Sequence, residues 1–439
     1  MQPTKGHYGM PTVNQPHRSK DFFTNWVQSH KSRYFRWIFW GILILNLSLA
    51  ISYIGLWAIQ AQKGNLWQAD FTAFYTGWAI VRDGKGSLLY DLNLEMSYQQ
   101  DILDGRSFFE GLLPFINPPH VGIIFAPLAC LPLSHAYTVW TLFQVGLLLW
   151  LFVLLNQLAD DWAPAERNLL LITAAALPSM LINFLLGAFS LLMLVCILQF
   201  VLALRRSRPI STGMWFLAGM IKPQVMVLPG VILLAARRWR ALFASVCGAA
   251  ILILLSSIVL GWRTWPDYVQ LLREFSNFFG RYSIDPQGMY NLRGTLALIF
   301  GEQHSQFINW VSIVALLGSV IFTLFLWQGS WFGGEEYYEL RMALTLVLGL
   351  LFSLHAFPQD GLLLIAPAAL FYDYLQRRGL PRRLYASFLL LCPVLFLVSE
   401  FTFGGRLGIR LPVLAMIVLT CWMCIALVSE KNKTVHVYQ

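Results

Sequence analysis

The feature that most limits this chain is an uncharged run, Trp37 to Ile59, long enough to cross the hydrocarbon core of a bilayer as one helix. Comparable runs follow at Ala241–Leu260, Phe307–Trp327 and Leu411–Val428. Shorter ones lie at Met342–Leu354, Leu362–Leu375 and Leu384–Val398. Backbone in lipid must satisfy its own hydrogen bonds, and runs of this length do so as helices. Composition agrees: the chain is 57% hydrophobic and 12% charged with mean hydropathy +0.60, where soluble domains carry about 25% charge. The 439 residues therefore describe one all-α polytopic membrane bundle, not two or three soluble domains.

A formal net charge of +9 invites a nucleic-acid reading, but the basic residues do not form a stripe on a soluble domain. They gather in short segments between apolar runs: Arg205-Arg206-Ser207-Arg208, Arg237-Arg238-Trp239-Arg240 and Gln376-Arg377-Arg378-Gly379-Leu380-Pro381-Arg382-Arg383. The positive-inside rule makes these segments cytoplasmic, and no nucleic-acid partner is expected. Lys20, Lys31, Arg33 and Arg36 precede the first run, which is too long for a signal-peptide core and reads as a signal anchor. The expected organisation is a cytoplasmic tail (1–36), a single transmembrane domain (37–429) and a cytoplasmic tail (430–439). Outer loops are expected at 60–118 and 262–294. Both ends inside requires an even number of crossings, about twelve, with Val121–Leu131 and Thr295–Phe300 as partial insertions. Ser211–Ala236, interrupted by Lys222-Pro223-Gln224, reads as a helical hairpin. Such breaks belong where backbone lines a cavity, not where it faces lipid.

Cys130, Cys196, Cys247, Cys392, Cys421 and Cys424 lie in apolar runs and read as small hydrophobes, the Cys421/Cys424 pair included. His7, His17 and His30 are too scattered for a metal site.

The most distinctive polar stretch follows the first crossing: Trp67-Gln68-Ala69-Asp70-Phe71-Thr72-Ala73-Phe74-Tyr75-Thr76-Gly77-Trp78. Phe71, Phe74, Tyr75 and Trp78 recur at helical spacing behind a leading acid. The pattern predicts an amphipathic helix at the membrane–water boundary, its aromatic face down and Asp70 toward the water. Leu92–Leu103 predicts a second amphipathic helix, and Trp262–Gly294 a third interfacial segment. A carboxylate at that boundary reaches substrates from lipid and from water, so Asp70 is the candidate catalytic base. Its plain structural alternative is an N-cap for the helix behind it.

An acid after the first crossing, Asp70-Phe71-x-x-Phe74-Tyr75, Tyr90-Asp91, Pro118-Pro119, Ile221-Lys222-Pro223 and the Ser353–Asp360 segment together resemble glycosyltransferase family 87. The resemblance implies a GT-C-type bundle related to polyprenyl-phosphate-mannose-dependent mannosyltransferases. It implies inverting transfer of a hexose, possibly mannose, from a polyprenyl-phosphate donor to a lipid or glycan acceptor on the periplasmic face of an inner membrane, with Asp70 taking the acceptor's proton. The leaving phosphate needs cationic donors, for which Arg293 and Lys222 are candidates, arginine through its fork of N–H groups. His355 would bind sugar or share a proton, and Asp360 would accept from sugar hydroxyls. Tyr75 and His120 complete the substrate-binding candidates. Each has a structural alternative: snorkelling for Arg293 and Lys222, mutual pairing for His355 and Asp360, capping of the Pro-Pro turn for His120, an interface belt for the aromatics. Asp70 is the only acid in its segment, so no metal is expected, and no cofactor.

Two other classes fit the hydropathy. A transporter or flippase of lipid-linked saccharides would show internal repeats and charges in mid-helix. An O-antigen polymerase or ligase would carry its functional loop late in the chain, whereas here the distinctive loop comes first.

Overall fold

The computed structural model describes residues 33–62, 70–105, 111–275, 285–328, 337–380, 383–398 and 410–437. The tail bearing His7, His17 and His30, and residues 276–284 of the expected second outer loop, lie outside the described residues. The described residues form helices and no β-strand. Five helices are long and apolar enough to cross a membrane: the stretches Phe39–Gln60, Leu133–Leu158, Trp239–Leu260, Glu302–Leu326 and Leu411–Ser429. Pro164–Ala176 and Pro178–Leu186 make a sixth if a pair bent by 46° counts as one span. Five shorter apolar helices accompany them.

The bundle has two chemically distinct ends. At one, Arg205 closes α8 (Ser190–Arg205) and reaches Glu339 at 3.4 Å and Asp373 at 3.5 Å. Arg377 closes α16 (Ile365–Arg377) and reaches Asp373 at 3.0 Å and Asp161 at 3.4 Å. Glu339 lies in the first turn of α15 (Tyr338–Leu351), and Asp161 lies between α5 (Leu133–Leu158) and α6 (Pro164–Ala176). Four chain segments therefore converge at an arginine-rich end. The other end collects Asp70, Ser190, Lys222 and Asp360. Since α8 begins at Ser190 and ends at Arg205, its 16 residues connect the two ends, about 24 Å at 1.5 Å per residue.

Proline punctuates the path. Pro119, Pro164, Pro178, Pro209 and Pro223 each occupy the first position of a helix: α4 (Pro119–Phe125), α6, α7 (Pro178–Leu186), α9 (Pro209–Ala218) and α10 (Pro223–Ala235). Proline there loses no hydrogen bond and its fixed φ suits the helix start. Leu177 before Pro178 is extended, as a pre-proline residue prefers, and this bends α6 from α7. The expected hairpin is present as α9, a 3₁₀ turn at Gly219–Ile221 and α10, with Lys222 at its tip. Its arms return to a common place, because Arg208, Pro209 and Arg237 line one cavity. α11 (Trp239–Leu260) leads to the exposed amphipathic α12 (Thr264–Phe275), then α13 (Leu292–Phe300) and α14 (Ser305–Leu326).

The segment at Asp70 departs from expectation. The aromatic spacing predicts a helix lying on the boundary with one face in lipid. The helix forms as α2 (Asp70–Arg82), but every residue from Phe71 to Ile80 is buried in protein. Phe74 meets Phe189 (centroids 4.4 Å apart), Phe71 meets Tyr137 (5.2 Å) and Trp78 meets Trp140 (5.9 Å). The opposite face of α2 carries Thr72, Ala73, Thr76 and Gly77. Those side chains are small enough to admit a second segment: a Cβ on Gly77 would stand 2.5 Å from the Phe115 ring. Periodicity identifies an apolar face without saying whether lipid or protein covers it. Leu92–Ile102 is helical (α3), with Asp91 accepting from the N–H groups of Asn93 and Leu94 as its N-cap. α1 (Arg33–Gln62) precedes α2, and α17 (Arg383–Val398) and α18 (Leu411–Val437) complete the described chain. The cysteines are free, Cys196 buried but Cys130 and Cys421 exposed, so only some are interior hydrophobes.

Candidate active site

Asp70 is the first residue of α2. It is held next to the start of α8 by the turn that ends α7. Gly187 there has φ +66°, and Ala188 N–H bonds back to Asn183 O at 3.0 Å. A Cβ on Gly187 would lie 2.7 Å from Phe71 Cβ, so only glycine lets this turn press on the residue beside Asp70. Three residues on, Ser190 opens α8.

Across from Asp70 lies the 3₁₀ segment Pro358–Leu364. Gln359 Nε2 donates to Asp70 Oδ2 at 2.9 Å. The next residue, Asp360, is buried and takes three donors: Lys222 Nζ at 2.6 Å and Ser190 Oγ at 2.6 Å, both on Oδ1, and its own segment's Phe357 N–H at 3.1 Å on Oδ2. Lys222 Nζ also approaches Ser190 Oγ at 3.3 Å. The hairpin tip thus delivers an ammonium into a pocket of carboxylate and hydroxyl oxygens.

A third strap holds the loop from Ser353 to Phe357. Asn291 caps α13 by accepting from Gly294 N–H at 2.8 Å and donates through Nδ2 to Ser353 O at 2.9 Å. Tyr290 N–H donates to Ala356 O at 2.7 Å, and Arg293 Nη1 to Leu354 O at 3.1 Å. The His355 ring packs edge-on against Phe357, with centroids 4.8 Å apart.

The electrostatics follow from burial and these neighbours. Burial pushes the Asp70 carboxyl up to about 6, opposed by Lys222 and the Gln359 hydrogen bond and reinforced by Asp360. Burial also works to raise Asp360, but the Lys222 ammonium and the hydrogen bonds from Lys222, Ser190 and Phe357 outweigh it and hold Asp360 below the usual carboxylate range. Burial and the nearby Lys222 bring His355 down to about 3, so its imidazole is neutral at physiological pH. Two adjacent acids are pushed in opposite directions, which is the arrangement that separates a proton acceptor from a fixed counter-ion.

The structure therefore brings together five of the residues singled out from sequence: Asp70, Lys222, Arg293, His355 and Asp360. It places the other two elsewhere. Tyr75 points its hydroxyl at Leu131 O, 2.7 Å away. His120 is buried against Trp265, ring centroids 6.3 Å apart and nearly parallel. The structural alternative of a His355–Asp360 pair gives way to Lys222–Asp360. Asp360 engages protein donors through both oxygens. Gln359 and Ser190 were not among the candidates. Gln359 neighbours Asp360 in sequence, which is the signal that points to it; Ser190 carries no motif of its own. Asn117, before the paired prolines, donates to Ile221 O at 3.3 Å and so buttresses the hairpin tip. Among the described residues, no group of three or more His, Cys, Asp and Glu side chains is placed to hold a metal ion.

A multi-pass helical membrane protein with a buried acid and a second acid paired to lysine at one end is the class that fold and site define. The family model for glycosyltransferase family 87 matches residues 115–358, more than half of the chain. The chain belongs to glycosyltransferase family 87 and is a membrane glycosyltransferase, acting on a sugar donor and an acceptor. Lys222, Arg293, His355 and His120 fall within the matched residues, while Asp70 and Asp360 fall outside them. No curated protein and no solved structure matched.

Proposed function

We propose that this glycosyltransferase moves a hexose, with mannose the first candidate, from a polyprenyl-phosphate donor to a hydroxyl of a lipid or glycan acceptor, with inversion at C1. Asp70 takes the acceptor's proton as the new C1–O bond forms and the C1–O bond to the lipid phosphate breaks. The pair of electrons from that bond leaves with the phosphate. The observation that carries this reading is the opposite tuning of two acids in one site: Asp70 raised to about 6 by burial, Asp360 held low by Lys222. A base whose pKa lies just below the working pH is ionised yet still basic enough to accept a proton.

Lys222 and Arg293 balance Asp70 and Asp360, two cations against two carboxylates. A donor phosphate entering beside the cations adds negative charge, which raises Asp70 further and strengthens it as a base. Gln359 aims the Asp70 carboxylate and leaves its other oxygen for the acceptor. Neutral His355 offers a hydrogen bond to sugar or phosphate without adding charge. His120 and Tyr75 take positions in the wall around the outer loop.

The site belongs to the periplasmic face of an inner membrane in this reading. The arginine-rich end, with Arg205, Arg237 and Arg377, is then cytoplasmic by the positive-inside rule. Both chain ends inside are met by twelve passes: α1, α5, the bent pair α6–α7, α11, α14 and α18 at full length, and the shorter α8, α9, α10, α15, α16 and α17 running partway across inside the bundle, with α4 and α13 remaining at the outer end. The whole of 37–429 is one transmembrane domain.

The test is transfer by the purified protein, offered a panel of polyprenyl-phosphate sugars, against Asp70→Asn. A folded variant should lose roughly 10²–10⁴-fold in turnover, the usual contribution of a positioned base. Full activity in that variant removes Asp70 from the mechanism.

A further inference from the structure

At the end of the bundle opposite Asp70, the turns between α8 and α9 and between α10 and α11 enclose a cavity of about 450 Å³. Its lining includes Arg208, Arg237, Arg238 and Arg240 with Ser207 and Thr212, and no acidic residue. Arg208, Arg237 and Arg240 are exposed, and among the described residues none of the three is in an ion pair. By contrast, nearby Arg205 and Arg377 are occupied by Glu339, Asp373 and Asp161. The two turns have a shared geometry. Ser207 and Arg237 both adopt left-handed backbone, φ 52° and 51°, closing one helix so that the next can start at Pro209 or Trp239. Two helix N-termini consequently open onto the same arginine-lined space. Their partial positive charge adds to that of the side chains.

The immediate surroundings are apolar and uncovered. Ile210 and Met214 on α9 are 70% and 48% exposed; Phe243 and Val246 on α11 are 71% and 57% exposed. A cationic cavity at the helix ends, bordered by bare aliphatic and aromatic side chains on the same two helices, matches a molecule with an anionic head and hydrocarbon tails. A small soluble anion would use the first feature and leave the second unexplained.

We propose that this cavity is a binding site for an anionic phospholipid of the leaflet at the arginine-rich end, its phosphate among Arg208, Arg237 and Arg240 and its acyl chains along Ile210 and Phe243. The site is separate from the Asp70 cluster and does not depend on the reaction assigned there. Bound lipid would clamp the base of the hairpin whose tip carries Lys222.

The experiment uses full-length protein delipidated in uncharged detergent. Its thermal unfolding is followed while phosphatidylglycerol, phosphatidylcholine or inorganic phosphate is added. Wild type should be stabilised by phosphatidylglycerol at lower concentration than by phosphatidylcholine, and not by phosphate. The R208Q/R237Q variant should lose roughly thirtyfold in apparent phosphatidylglycerol affinity, at about fivefold per arginine near a headgroup. K85Q/R263Q, with the same charge loss at the other end, should match wild type. Equal loss in both double variants means a diffuse charge effect and overturns the site. Stabilisation by phosphate equal to that by lipid overturns the lipid assignment. Photo-activatable phosphatidylglycerol on wild type decides the matter even if the arginine variant misfolds. Labels should fall within residues 204–214 and 237–246, and labelling spread evenly over the helices rejects the proposal.

Discussion

Lys222 Nζ stands 2.6 Å from Asp360 Oδ1 across 138 residues of sequence, with the Asp360 side chain only 2% exposed. The contact joins the tip of the α9–α10 hairpin to the segment that also orients Asp70. A buried pair of this kind stabilises little relative to an apolar substitute, but breaking it leaves a charge stranded. Lys222→Met alone should therefore destabilise the protein by roughly 3–5 kcal/mol. Lys222→Met combined with Asp360→Leu should cost less than the sum of the single changes. Denaturation of the three variants in detergent measures the coupling, and additivity would mean the pair is not formed.

The raised Asp70 carboxyl sets two pH dependences of opposite use. In the proposed mechanism turnover requires the ionised Asp70, so the rate should climb as pH rises through about 6. Stability runs the other way. A folded-state pKa above the usual aspartate value of about 3.9 means the neutral form is preferred in the fold. Its contribution is complete below about 3.9 and is lost as pH rises through about 6. Asp70→Asn should thus melt higher than wild type at pH 8, converge with it near pH 4, and show no activity limb near 6. Parallel melting and rate profiles check both halves.

Tyr75 separates a wall residue from a substrate contact. Its hydroxyl donates to Leu131 O, and losing one such bond costs roughly 0.5–1.5 kcal/mol. Tyr75→Phe should lower the melting temperature and leave KM and kcat unchanged. A raised KM without loss of stability would return Tyr75 to the substrate.

Two glycines in apolar helices should respond in opposite senses to the same change. A Cβ on Gly213 in α9 would collide with Ala241 O and crowd Ala244 at 3.0 Å, so Gly213→Ala forces α9 from α11. The cost should be roughly 1–3 kcal/mol, as for overpacking elsewhere. Nothing lies within 4 Å of the corresponding position at Gly146 in α5. Gly146→Ala should stabilise by roughly 0.5–1 kcal/mol through helix propensity. Thermal melts of the two variants test the α9–α11 packing that also shapes the arginine-lined cavity.

Much of the architecture was open to reading in the linear order. Apolar run length required helices in a membrane, arginine clusters marked one end, and the Lys222-Pro223 break marked the tip of a hairpin. The acid at position 70 stood out because it heads Phe71, Phe74, Tyr75 and Trp78, aromatics at helical spacing. These properties are local: hydrophobicity, charge and backbone restriction act within a few residues, and a sequence displays them directly. The partners of that acid are not local. Gln359 lies 289 residues from Asp70, Ser190 was one serine among many, and Lys222 had no assigned counter-ion until the hairpin tip met the Pro358–Leu364 segment. Nor does periodicity reveal what covers an apolar face, and the Asp70 helix lies inside protein, against Phe189, Tyr137 and Trp140, instead of on lipid. Tertiary structure alone decided those points, because helix ends distant along the chain become neighbours only when the turns at Gly187, Lys222 and Phe357 fold back to the same end of the bundle.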